Sequence, residues 1–226
     1  MNLQKQFLIS FPRYGIVLFL VLMILSMVTY GGGTINDPES MGYSFTLNFF
    51  SDLGKFTPGN FLSMLFFALS LCICGFALMA YFYYFMQLFI QNNALTIIAK
   101  IGAVVGIIGA LCFVGVGFTP HNVFFAAHNF FANWAFRCFL ITSILLSWVL
   151  YKDYRFENRY ASGYLIFALL IFIYILILEF GPNPRNSDFS LIFNVLAQKL
   201  IVFVFILSVL YQSFGYSKLL ARNLTK

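Results

Sequence analysis

Residues 61–90 read FLSMLFFALSLCICGFALMAYFYYFMQLFI, thirty positions without a charged side chain. A hydrocarbon core about 30 Å thick is crossed by roughly 20 residues of helix, so this stretch reads as a membrane span rather than the core of a soluble fold. Five further runs read the same way, at 14–30, 101–118, 123–151, 161–180 and 189–214, of which the fourth and sixth each carry one internal base, Arg137 and Lys199. The spacing predicts an all-α, polytopic integral membrane protein: one domain, a bundle of six transmembrane helices, over residues 1–226. Residues 14–30 look like a signal peptide but end in SMVTY, with no small-residue cleavage site, and are read as a signal anchor.

Composition agrees. Of 226 residues 62% are hydrophobic and 9% charged, against roughly 25% charged in soluble domains. A soluble enzyme, a disordered tail and a disulfide scaffold are excluded. Cys72, Cys74, Cys112 and Cys138 all fall inside apolar runs with no Cys-x-x-Cys spacing, and are read as reduced, small apolar residues.

The net charge of +6 sits in the loops of one side. Lys5, Arg13, Lys100, Lys152, Arg155, Arg159, Lys218, Arg222 and Lys226 fall there, while the other side holds only Lys55 and Arg185. Basic loops stay cytoplasmic, so both the N and C termini are predicted cytoplasmic, most simply in a prokaryotic plasma membrane. The basic face would favour anionic lipid, and no nucleic acid partner is expected.

The longest polar segment is an outer loop at 31–60, which ends in NFFSDLGKFTPGN. Ser51 or Asp52 is placed to cap a turn, Gly54 to supply a left-handed residue and Pro58 to open a helix, which predicts an ordered lid. In the third span Gly102, Gly106 and Ala110 recur every four residues, with Gly109, Gly115 and Gly117 beside them. Small residues at that spacing let helices approach closely, inside one chain or across a homodimer. The cluster 81–85, YFYYF, reads as an interfacial aromatic belt.

Ionisable and amide side chains inside spans are functional candidates by default. GFTPHN at 117–122 is followed by VFFAAHNFFANWAFR, so that Asn129, Asn133 and Arg137 descend one helix face from the outer end, with His121 and His128 above them. Asn194 and Gln198 form a similar stripe, and Lys199 lies at a depth comparable to Arg137. Glu179 and Asp52 are the acids near enough in depth to both bases. One reading is interhelical glue, with Glu179 paired to Lys199 or Arg137. The functional reading is an outward-facing cavity whose floor, Arg137 and Lys199, holds an anionic group oriented by Asn129, Asn133, Asn194, Gln198 and Glu179. A sharper version sets His121, His128 and Asp52 around a catalytic zinc, with Asp52 and His128 as acid and base of a metal-dependent lipid hydrolase or transferase. Below the two bases only Thr142, Ser143, Ser147 and Ser208 are polar, which argues against a small-solute transporter with a through path.

A first helix, an outer loop carrying Ser51, Asp52, Leu53 and Gly54, Pro58 before the second helix, a Gly-rich third helix and His128 just inside the fourth resemble the damage-regulated autophagy modulator group. That group is associated with the Frag and Sfk membrane proteins and with a bacterial and archaeal family of unknown function, which this compact chain resembles more. The resemblance implies six spans, cytoplasmic termini, a link to lipid handling and importance for Ser51, Asp52, Gly54 and His128. Arg137, Lys199 and His121 do not map onto it. The expected function is therefore to bind or modify a lipid or other amphiphilic anion. The alternative is a non-catalytic subunit or anchor of a larger complex, with a membrane-protein partner.

Overall fold

The computed structural model describes residues 3–224, with side chains as far as Ala221. Lys226, one of the predicted cytoplasmic bases, lies outside the described residues, as does the Arg222 side chain. Six helices are long and apolar enough to cross a membrane: α1 Leu3–Val28, α2 Phe61–Met86, α3 Ala94–Phe118, α4 Phe125–Lys152, α5 Asn158–Phe180 and α6 Asp188–Leu224. Among the described residues there is no strand, only a single bridge between Gly32 and Met41 in the lid. The chain is an all-helical integral membrane protein.

Several helices outrun the apolar windows that reveal them. α3 starts at Ala94 rather than 101 because the Asn93 side chain accepts from Thr96 N at 2.9 Å, so Lys100 lies in a helix and not in a loop. α1 likewise absorbs Lys5 and Arg13, with a π-helical turn over Gln6–Ser10. Arg13 Nε donates to Ser213 Oγ at 2.9 Å and its guanidinium lies 4.5 Å from the Phe214 ring centre. At ~1.5 Å per residue, the 37 residues of α6 span about 55 Å, well beyond the roughly 30 Å of hydrocarbon.

Short connections make α2 to α6 successively antiparallel, and the long lid segment joins α1 to α2. Each packs on the next, and α6 closes the ring between α5 and α1, touching α1 least. Without a hydrophobic force between helices in lipid, closeness of fit decides which faces meet. The glycines of α3 supply it on both sides: a Cβ at Gly106 would stand 2.7 Å from the Phe82 ring of α2, and one at Gly102 would stand 2.9 Å from Leu146 of α4. α3 is thus wedged between its neighbours, as its small-residue spacing predicts. The 81–85 cluster is different from its expectation as a belt. Tyr81, Phe82 and Phe85 are buried and only Tyr83 is exposed, because the residues follow helical periodicity and three of them face the ring axis.

On that axis Phe113, Phe139 and Phe205 form a triangle with ring centres 5.3 to 5.6 Å apart. Beyond it, away from the lid, Tyr81 and Tyr164 share a 2.8 Å hydroxyl bond. The axis is therefore closed midway by three rings packed at an angle to one another.

A Cβ at Gly75 would stand 2.5 Å from Val114 Cγ2 and 2.9 Å from the Ala110 carbonyl oxygen, a backbone atom that cannot rotate away. Gly75→Ala is expected to destabilise the bundle by about 1–3 kcal/mol, the usual cost of overpacking. Gly59→Ala, where a Cβ meets nothing within 4 Å, is expected to be neutral. Thermal unfolding of the detergent-solubilised variants checks this, and equal midpoints for the two would contradict it.

Candidate functional site

The lid is built around one carboxylate. Asp52 is 2% exposed, in a 3-10 turn over Phe50–Gly54. Its Oδ2 accepts from Phe49 N at 2.8 Å, capping the turn, and from Asn48 Nδ2 at 3.2 Å. Its Oδ1 faces Lys55 Nζ at 3.2 Å and His121 Nε2 at 3.6 Å. Lys55 also donates to the Tyr30 hydroxyl and the Gly33 carbonyl, at 3.2 and 3.3 Å. Asn48, fully buried, donates to the same Gly33 carbonyl at 2.9 Å. Burial, with Asp52 adding to it, pushes the Tyr30 and Tyr43 hydroxyls above their ordinary value of 10.0, which keeps both as donors. Gly54 is not left-handed, as the sequence predicts it to be; the positive-φ residues are Gly32, Gly33 and Gly42. What position 54 requires is closeness, since a Cβ there would stand 2.8 Å from the Phe67 ring.

Asn36 donates to Asp188 of α6 at 2.8 Å, Ser63 of α2 to the Leu53 carbonyl at 3.1 Å, and three further side chains hold this lid onto the rest of the bundle. Gln198 Oε1 accepts from Phe50 N at 2.8 Å. Lys199 Nζ donates to the Asn48 carbonyl at 2.6 Å and lies within 4.9 to 5.4 Å of the ring centres of Tyr43, Phe45 and Phe50. Asn122, in the α3–α4 connection, bonds both backbone groups of Phe56, at 2.9 and 3.1 Å.

Beneath the lid, on the bundle axis, lies a cavity of about 90 Å³. Every helix lines it, for instance through Phe19, Leu71, Val116, Phe136, Ile171 and Ile201, and Phe50 and Ser51 roof it. The ring triangle forms its floor. Apart from the Cys74 thiol its polar wall groups are Ser51, His128 and Gln198, and no charged side chain reaches it. His128 Nδ1 lies 2.6 Å from the Thr119 carbonyl, which only accepts, so Nδ1 carries the proton and Nε2 of the neutral ring is an acceptor. Past the ring triangle a second space of about 20 Å³ is lined by Tyr81, Thr142, Ser143, Tyr164, Ser208 and Gln212.

The predicted site residues divide into three groups. Asp52, His121, Gln198 and Lys199 meet at the lid, with His128 beside His121 at 5.7 Å between ring centres. Arg137 pairs instead with Glu179 and donates to the Asn133 carbonyl at 3.2 Å, between α4 and α5, with side chains 33% and 43% exposed. Asn194 Nδ2 is spent on the Pro182 and Ser190 carbonyls, both at 2.8 Å, and Asn129 is half-buried on α4. Arg137 and Lys199 therefore do not form a common cationic floor. Similar depth does not put two residues on facing sides: Arg137 turns to α5, and Lys199, 6% exposed, turns up to the lid. The zinc set does not assemble either. No group of three His, Cys, Asp or Glu among the described residues converges on one point, and both His Nδ1 atoms are engaged by carbonyls.

Asn48, Tyr30, Tyr43 and Asn122 complete the lid, and sequence reasoning passed over all four. A polar Asn48 within TLNFF, four residues before Asp52, is the one local signal of them. No known protein family, curated protein or solved structure matches the chain.

Burial, partly offset by Asp52, holds the His121 imidazole below its ordinary 6.5. The folded protein then binds this proton less readily than the unfolded chain, so the contribution to stability is complete above pH 6.5 and is lost as pH falls through the lowered native value. The thermal midpoint of the wild type is expected to drop between about pH 7 and about pH 5 by more than that of His121→Gln. Parallel profiles for the two proteins would contradict the assignment.

Proposed function

We propose that the protein binds a lipid or related amphiphile in the cavity beneath the lid, with the lid on the outer face of the membrane and both termini in the cytoplasm. The observation that carries this reading is the cavity itself, an apolar space to which all six helices contribute, polar only at its roof and shut at its floor. A one-sided space of this kind suits occupancy by part of a membrane molecule better than passage of a solute. Kinship with the lipid-handling group that the sequence resembles belongs to the same proposal.

Size sets a condition. Pockets for whole ligands measure about 300–1,000 Å³, and an apolar cavity of about 150 Å³ accepts benzene. At about 90 Å³ the closed cavity takes only the leading part of an amphiphile. Entry of more requires the lid to lift, against the bonds of Gln198, Lys199 and Asn122, each worth about 0.5–1.5 kcal/mol net.

Two measurements test the proposal. Native mass spectrometry of protein extracted with its surrounding lipid should find a retained amphiphile in the wild type, reduced at least about tenfold in Ala132→Trp, which fills the cavity from α4 without altering a polar wall group. Equal retention by both proteins would overturn it. For orientation, a cysteine at Phe56 should react with an impermeant reagent from outside intact cells, and one at the fully exposed Tyr154 only after permeabilisation. Reaction of both from the same side would refute the topology.

A further inference from the structure

The walls of the cavity also specify a head group, an inference that rests on the binding reading above. Every cation near it is engaged outside it. Lys199 lies on the Asn48 carbonyl among three rings, Lys55 on Asp52, and Arg137 on Glu179. None of the three lines the cavity. An anionic head drawn inside would lose its water and gain no counter-charge, which is costly in a medium this apolar. A cationic head would fare no better, because Asp52 faces Lys55 and His121 and lines no part of the wall.

What the wall offers is a neutral set of hydrogen-bonding groups. The Thr119 carbonyl holds the proton of His128 on Nδ1, leaving Nε2 as an acceptor. The Phe50 N–H fixes the Gln198 amide oxygen, which leaves that amide's nitrogen as a donor. Ser51 does either. An acceptor, a donor and a hydroxyl around one small space match a group that both gives and takes a hydrogen bond.

We infer that the cavity selects amphiphiles with an uncharged, hydroxyl-bearing head, such as a long-chain alcohol, a monoacylglycerol or a prenol. The hydroxyl hydrogen is given to His128 Nε2 and its oxygen takes a bond from the Gln198 amide, the head and its first carbons filling the closed cavity while the rest of the chain stays outside it.

Three probes with one hexadecyl chain and different heads separate the possibilities: hexadecanol, hexadecyl sulfate and hexadecyltrimethylammonium. Each is added to the delipidated full-length protein and its retention read by native mass spectrometry, with Ala132→Trp subtracting non-specific adducts. The expected result is hexadecanol retained at least about tenfold above both charged probes, with the preference lost in His128→Phe. Retention of the sulfate above the alcohol, or equal retention of all three, would overturn the head-group assignment while leaving the cavity reading intact. Retention of none would overturn the cavity reading itself. Should His128→Phe fail to fold, Gln198→Leu takes its place, and the wild-type ranking alone still decides.

Discussion

A carboxylate removed from water must be surrounded by donors, and this requirement at Asp52 organises the lid. Its donors come from its own segment: Phe49 and Asn48 from before the turn, and Lys55 from the strand-like exit. A thirty-residue segment whose regular structure is limited to short 3-10 turns would otherwise leave many backbone groups unpaired beside hydrocarbon, where each costs several kcal/mol. Asn48, Lys55 and Asn60 bond carbonyls of Gly33, Leu53 and Lys55 from within the same segment. Removing the charge would therefore loosen the loop as a whole, since the same donors serve both the carboxylate and the backbone.

The lid in turn gives the two amide and ammonium groups of α6 their purpose. Lys199 looks, in sequence, like an expensive intramembrane cation in search of an anion. Its cost is offset differently: a backbone carbonyl at 2.6 Å and three ring faces take the place of a counter-ion. α6 makes the weakest contact in the ring, on its α1 side, so the lid bonds at Gln198 and Lys199 also help to keep the ring shut.

How far the sequence could be read follows from the range of each force. Apolar length is a property of consecutive residues, so all six helices were legible, and so was the wedge role of Gly102 and Gly106 in α3. Helix ends were less so. Asn93 capping extends α3 past Lys100, and the Arg13 bond to Ser213 depends on a residue two hundred positions away. The turn at Asp52 was legible, but the lid's partners were not, because Asn122 arrives from the α3–α4 connection and Gln198 from α6. Depth along a helix could be counted; direction around it could not, and the paired floor of Arg137 and Lys199 failed on that difference. The same limit hid the buried side of the 81–85 cluster.

The axis carries the last step. Phe113, Phe139 and Phe205 come from three helices and meet only because α3, α4 and α6 face inward together. They divide the interior into a space under the lid and a smaller, largely apolar one beyond, where the Gln212 amide oxygen is buried without a hydrogen-bond partner. At about 20 Å³ the second space is the size of one water molecule, and water is the natural partner for that oxygen and its hydroxyl neighbours. Phe139, Phe167 and Phe205 belong to both walls, so the rings that limit how deep a ligand can reach are the ones that keep the two spaces apart. A substitution that shrank Phe205 would therefore lengthen the space under the lid by joining it to the smaller one beyond.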